Sequence, residues 1–555
     1  MLGSVRTAVA RRLPEKVVYQ LVLARHGETA AQLALRRAAG RPDGRAGAPR
    51  RGPRPAVVEL FDAHATQRAN VDAVSVALTA AGIEHVLVPE PNTGRRRVAV
   101  SIEHRVAALA ALHTLSGDEW GVSVGRRRAV PAAAAADLAG AQRLRVFRAL
   151  VAASGEPVAG VELACSLEFW TRVDQPGTPR ADGGTYQLGT RLAPAPAGLA
   201  AGYLAPDAWT RAVQAPGHWP VEATTLLQVR EPIDIVYTWV DGDDRAWQAR
   251  KAPYEGTAGE HALGRSAAHV SRFASRDELR YSLRSVAAYA GWVRRIFIVT
   301  DGQVPGWLDT THPAIEIVDH TRIFTDPGVL PVFNSHAIES QLHHIPGLAE
   351  RYLYLNDDVF FGRPVRPELF FHGNGLAKFF LAKHPLDVGP PSPDDRPVVS
   401  AAKRNRALLE ARFGATVTRR FQHTPHPQLR SVNEQLEREY PEEFAVVARS
   451  RFRHPDDVSV AASLHHWFAY GLGRAVPGRL RYVYQDTAAA DTPRRLRNLL
   501  RTRDADAFCL NELETDPERA AEQRVMLRAF FDRYFPVPSP YELADVSPTV
   551  SHGLS

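Results

Sequence analysis

Apolar and polar positions alternate most clearly from Pro232 onward. Residues 233–240 form an apolar run of strand length that ends in Asp241-Gly242-Asp243-Asp244. Residues 276–289 carry Leu279, Leu283 and Val286 at helical spacing. Strands are predicted over 296–300, ending at Asp301-Gly302, and over 315–318, then a helix over 335–345. A last strand, over 352–355, runs into Asn356-Asp357-Asp358. Such alternation predicts an α/β fold with a mostly parallel sheet, whose ligands sit beyond the strands' carboxyl ends. Asp241, Asp301, Asp357 and Asp358 fall at such ends, so four acidic residues are expected on one rim.

The flanks read differently. Residues 56–61 and 85–88 are strand-like, 65–81 helix-like, the pattern is helical from Ser101 to Leu115, and an alanine-rich helix is predicted over about 131–153. This makes a separate N-terminal α/β region over 56–230, behind a basic segment at 1–55. The central unit spans 232–376. A mostly helical C-terminal part of the same unit follows over 377–540, with a proline-rich loop at 390–397, a closing helix over 525–535 and a tail at 541–555.

Composition narrows the classes. The 555 residues are 45% hydrophobic and 23% charged, and no apolar run is long enough to span a bilayer. The first twelve residues lack the apolar core of a signal peptide, so a cytoplasmic location is expected. Cys165 and Cys509 are too few for a disulfide framework or a cysteine zinc site and read as ordinary buried thiols. The net charge of +7 owes much to Arg36, Arg37, Arg41, Arg45, Arg50, Arg51 and Arg54. These alternate with Gly, Pro and Ala, without the aromatics that base stacking needs, so nucleic acid is not the expected partner. Phosphorylated substrates, or peripheral attraction to an anionic membrane surface, fit the charge as well.

Several stretches carry chemistry. Asp357-Asp358 interrupts an apolar run from Leu353 to Gly362. Buried charge needs an offset, and a divalent cation carrying phosphates would supply one; an Asx turn is the plainer reading. His423-Thr424-Pro425-His426 can be read as metal ligands, as a general base or as a proline-stiffened loop, although proline between the histidines argues against helical ligand spacing. Arg453, ahead of His454, Asp456 and Asp457, suits a phosphate or a salt bridge. Trp239 beside Asp241 could stack on a base or sugar, or belong to the core. Arg25-His26-Gly27-Glu28 matches the histidine-phosphatase signature, but no regular α/β pattern follows it, and a solvated helix start fits better.

Four stretches in this order resemble the Stealth family of sugar-phosphate transferases. The first is 233–242. The second comprises 276–285, 292–303, 333–340 and the Asn356-Asp357-Asp358 segment. The third is 423–430, with 441–444 and 453–457, and the fourth is Phe508-Cys509-Leu510-Asn511, followed by Glu512 where Asp is expected. The resemblance covers about 232–511 and leaves the N-terminal region outside. It implies a nucleotide-sugar domain similar to the GT-A glycosyltransferases and a reaction at phosphorus. An acceptor hydroxyl would attack the phosphorus next to the sugar of a donor such as UDP-N-acetylglucosamine, transfer sugar 1-phosphate to a glycan and release UMP.

Within that frame, Asp357 or Asp358 would hold Mg²⁺ (or Mn²⁺), while Arg453 and Arg276 or Arg284 would clamp phosphate. His423 or His426 would deprotonate the acceptor, with Asp357 competing for that role. Trp239, Asp241 and Gly242 would contact the nucleotide, and Asn334 with Ser335 would line the sugar side. The alternatives are a glycosyltransferase on the same scaffold, releasing a nucleoside diphosphate, and a non-catalytic carbohydrate-binding protein.

Overall fold

The computed structural model describes residues 52–544, except 91–94, 126–128, 139, 220–224, 256–275, 393–394 and 513–516. The Arg25–Glu28 motif and all of the arginine run except Arg54 lie outside the described residues. Those that are described fall into two compact units that divide between Gln228 and Val229.

In the first unit the helix Ala63–Ala80 is capped by Asp62, whose carboxylate accepts from the backbone of His64 at 2.7 Å and Ala65 at 3.1 Å. It buries Val71, Val74 and Leu78 in a core shared with Val98, Val100, Leu167 and Phe169, which lie on the strands of an eight-stranded sheet. The alanine-rich helix expected over 131–153 is absent. Ala132–Leu138 coils as 3-10 turns, and Arg143–Arg148 and Leu150–Ala152 are strands. In Arg143–Arg148 the buried Leu144 and Val146 alternate with Arg143 and Arg145, a two-residue period that fits a strand pairing with Cys165–Arg172 better than alanine content fits a helix.

The second unit holds a five-stranded sheet. In chain order its strands are β1 (Ile233–Thr238), β2 (Ile296–Thr300), β3 (Ile315–Asp319), β4 (Arg351–Asn356) and, after an intervening short strand β5 (Val359–Phe361), β6 (His426–Leu429). Their spatial order is β3-β2-β1-β4-β6; the first four are parallel and β6 is antiparallel at the edge. Thr238 pairs with Asn356 and Thr300 with Asp319, so the carboxyl ends form one rim, as a parallel sheet requires. The central strands are apolar and buried along nearly their whole length, the composition expected of parallel strands covered on both faces.

Helix α1 (Glu278–Tyr289) begins at Glu278 rather than 276, because Asp277 takes a left-handed conformation with φ 65°. Helix α2 (Ser335–Glu339) stops early and continues as the turn Leu342–His344, since the Ser340 hydroxyl bonds back to the Ala337 carbonyl and Pro346-Gly347 follow. Beyond β6 come α3 (Arg430–Glu439), α4 (His465–Gly471) and two strands, β7 (Tyr482–Asp486) and β8 (Ala507–Asn511). β8 pairs antiparallel with β5 and parallel with β7 in a second sheet. The chain thus leaves the five-stranded sheet at Asn356 and enters the second sheet at Val359. Asp357-Asp358 is the turn between them. The transition is tight: a Cβ on Gly362 would lie 2.6 Å from the Ala505 carbonyl oxygen.

Candidate active site

The turn places Asp358 between a histidine and a cysteine. Its Oδ1 lies 3.3 Å from His423 Nε2, and its Oδ2 accepts from the Cys509 thiol at 3.2 Å. Cys509 reaches it from β8, whose Leu510 N–H also donates to the Asp358 carbonyl. Burial pushes the Asp358 carboxyl up, yet His423 and the thiol hold it below the ordinary carboxylate range. For His423 burial pulls down, while Asp358 raises the imidazole above its usual value. A Tyr482 hydroxyl from β7 donates to the His423 carbonyl at 2.5 Å and fixes this loop.

Asp357 has the opposite environment. Burial, then Glu278, then Asp358 push its carboxyl far above the usual range. Glu278 is raised chiefly by its own burial and accepts from the Arg276 backbone at 2.5 Å. Glu278, Asp357 and Asp358 are therefore three carboxyls within electrostatic reach, two of them held away from their charged forms. Among the described residues the group at this turn whose ligand atoms lie within 4.8 Å of one another is Asp358, His423 and Cys509; carboxylates beside it offer the oxygens that a hard divalent cation takes.

Arg453 lies within electrostatic reach of His423. Its guanidinium donates to Ser335 Oγ at 2.8 Å and faces the buried Glu339, which also accepts from the Tyr354 hydroxyl at 3.2 Å. Burial pushes Glu339 up, and its Oε2 has no partner among the described residues. Asn334, expected on the sugar side, has its side chain engaged within the protein. It caps α2, and its amide donates to the carbonyls of Ser450 and Phe452 and to Asp457 at 2.8 Å, pinning the segment before Arg453 to α2.

Other predicted residues separate from this cluster. His426 lies next to His423, ring centroids 6.5 Å apart, but its polar contact is elsewhere: it opens β6, pairs with Tyr354 and is buried, with Nδ1 3.0 Å from His466 Nε2. Arg284 lies on the opposite face of α1, where Glu542 binds it twice, at 2.7 and 2.8 Å, and the Phe535 carbonyl takes a third donor. All three of its nitrogens are engaged there. Arg276 pairs with Glu512, so the glutamate in the position where aspartate was expected closes an ion pair beside Glu278.

The rim carries less open charge than four aspartates suggest. Asp301 reaches the predicted edge but is held by Arg250 at 3.0 Å. Asp241 accepts from the Asp243 backbone at 3.0 Å, and Gln303 clasps its backbone on both sides. The Gly242 carbonyl takes the Gln248 amide, and Trp239, half-exposed past the end of β1, remains on the rim. Cys509, Glu278 and Glu339 were not foreseen as site residues. The first two lie in stretches that carried the family resemblance, and Glu339 lies beside Ser340 in another, but nothing in the sequence marks a thiol as a hydrogen-bond donor to a carboxylate 151 residues away.

Four family models match this chain: Stealth protein conserved region 1 over residues 231–259, region 2 over 272–379, region 3 over 422–470 and region 4 over 497–549. An exopolysaccharide phosphotransferase of Streptomyces coelicolor is 42% identical over 497 residues, covering 86% of this chain and 82% of that protein. Exopolysaccharide phosphotransferase CpsY of Mycobacterium tuberculosis is 44% identical over 318 residues, 57% of this chain and 59% of its own. A solved galactosyltransferase, LgtC with donor and acceptor sugar analogs, aligns at 13% identity over 55% of this chain and 96% of that chain, with a TM-score of 0.29, too low to bear on the fold. Among the described residues no helix is long and apolar enough to cross a membrane.

Proposed function

This chain belongs to the Stealth family of sugar-phosphate transferases, and from that premise we propose that it moves a hexose 1-phosphate, such as N-acetylglucosamine 1-phosphate, from a nucleotide sugar to a hydroxyl of a glycan acceptor. The observation that carries the reading is the Asp358 carboxylate bonded to both His423 and Cys509 beside the raised Asp357. The acceptor oxygen bonds to the phosphorus that bears the sugar, the bridging bond to the nucleoside phosphate breaks, and a nucleoside monophosphate leaves. The acceptor proton passes to His423 Nδ1. Nε2–H of the same ring donates to Asp358, which orients the imidazole and raises its basicity.

Both oxygens of Asp358 are then engaged, which divides the acidic pair. Asp357 with Glu278 would hold Mg²⁺ or Mn²⁺, which when bound neutralises charge on the phosphates. Arg453, set by Ser335, binds an oxygen of the transferring phosphoryl group, and burial strengthens that contact. Trp239 and the Asp241-Gly242 loop face the nucleotide. His426, Arg284, Arg276 and Asn334 support this frame and do not touch substrate.

The test is the identity of the nucleotide released. With a UDP-sugar, Mg²⁺ and a polysaccharide acceptor, the reading expects UMP and a phosphodiester signal in the ³¹P spectrum of the product. Release of UDP would replace it with glycosyl transfer, and no turnover with any nucleotide sugar would favour a carbohydrate-binding role.

A further inference from the structure

Away from the rim, the turn after α2 and the helix after β6 bring two imidazoles to one carboxylate. His343 Nε2 and His344 Nε2 each lie 2.8 Å from Glu437 Oε2, and the ring centroids are 4.1 Å apart. His344 Nδ1 lies 2.8 Å from the Ile323 carbonyl oxygen. A carbonyl only accepts, so Nδ1 carries the hydrogen, and a neutral His344 turns its Nε2 lone pair toward a carboxylate lone pair. That contact is repulsive unless a proton or a cation lies between them. The His343 side chain is 1% exposed, and its Nδ1 has no partner among the described residues, so Nε2 is the atom through which this ring engages its surroundings. An Nδ1–H held by a backbone carbonyl while Nε2 is presented is how metal-binding histidines are oriented.

We propose that His343, His344 and Glu437 form a binding site for a transition-metal dication, Zn²⁺ foremost. The three ligand atoms lie within 4.8 Å of one another. Two imidazoles and a carboxylate select zinc over magnesium, because nitrogen ligands suit the softer ion. Binding asks the atoms to spread by about half an ångström, from hydrogen-bonding distance to the separation of ligands held about 2.0–2.1 Å from zinc. It also releases any proton shared between ring and carboxylate. The ion staples the turn that follows the Ser335 helix to the helix that follows the His426 strand, so its effect falls on stability. The site is independent of the proposed transfer reaction and stands if that reading fails.

The experiment measures bound zinc and thermal stability on the whole chain. Because Asp358, His423 and Cys509 also cluster, it is run in Asp358→Asn. After loading with ZnCl₂ and desalting, that variant should retain one zinc per chain by elemental analysis, with a melting temperature several degrees above the EDTA-treated sample, roughly what a ligand in large excess over its dissociation constant supplies. Adding His344→Gln should lower retained zinc at least tenfold and abolish the thermal response. Glu437→Gln makes the same comparison should His344→Gln not fold. Zinc retained equally with either substitution, or none retained in Asp358→Asn, would overturn the proposal.

Discussion

Two histidines three residues apart, His423 and His426, occupy opposite chemical worlds. His423 sits in the loop before β6, half-exposed, and Asp358 raises it. His426 is the first residue of β6 and is buried against His466; burial, then His466 and His423, force it well below its usual value. Beneath it His465 is locked neutral, its Nδ1 donating to Asn433 and its Nε2 accepting the Leu429 N–H. One region keeps an imidazole charged or ready to be, and the other forbids the charge. The difference arises because a β-strand reverses its side chains at every residue and buries the inward set, while the loop before it answers only to the carboxylate it meets.

The sharpest way to break this contrast is to remove each ring in turn. His423→Ala should lower kcat by about a hundredfold or more, the usual worth of a positioned general base. His426→Asn should leave kcat within about threefold and instead lower stability by about 1–3 kcal/mol, the typical consequence of a disturbed buried hydrogen bond. Nucleotide release and urea unfolding on the same preparations check both. The roles are reversed if His426→Asn is the inactive variant and remains stable.

Two arginines extend the comparison. Arg453→Lys keeps a charge but loses the planar fork, and should cost about a hundredfold in kcat/KM. Arg284→Lys should change kcat/KM little and lower the melting temperature, because Glu542, held to about 2 by Arg284 and Arg280 despite its burial, would lose its bidentate partner. Equal losses of activity in the two variants would return Arg284 to the phosphate site.

What the sequence disclosed follows the same line between strand and loop. The parallel order of β1 to β4 and the rim were legible because apolar runs of strand length bounded by acidic turns have few other readings. The N-terminal strands at Arg143–Arg148 and Leu150–Ala152 were hidden under alanine content, whose helix propensity tertiary pairing overrode. The motifs named candidate site residues as a set and did not divide roles among them. Which way Arg284 or Arg453 turns depends on which face of its element is covered, and Glu542, the residue that covers Arg284, lies 258 positions away.

pH should separate the two histidine regions. Below the raised pKa of His423 the base is protonated, so log(kcat/KM) should fall with decreasing pH from a point above the usual 6.5. His426, His465 and His466 have lowered pKa values, His465 to about 3. The unfolded chain therefore binds protons first. Their stabilisation is complete above about 6.5 and is lost as pH falls toward the folded values, by about 1.4 kcal/mol per pH unit for each ring that titrates independently. Urea midpoints at pH 7, 6 and 5 should decline, and a flat series would mean the buried rings carry no such penalty.

The smallest expected effect tests how far Asp358 depends on its second partner. The Cys509 thiol is held protonated by burial and by the carboxylate it faces, so it donates one weak hydrogen bond. In Cys509→Ala that donor is lost, charge on Asp358 is less compensated, and His423 should become slightly more basic. The acid limb of the rate profile should then move up by a few tenths of a pH unit, with kcat falling less than about tenfold, since a thiol bond is worth well under a full charged hydrogen bond. A loss as large as that of Asp358→Asn would make the sulfur a metal ligand or reactant, and the division between an orienting Asp358 and a metal-binding Asp357 would have to be redrawn.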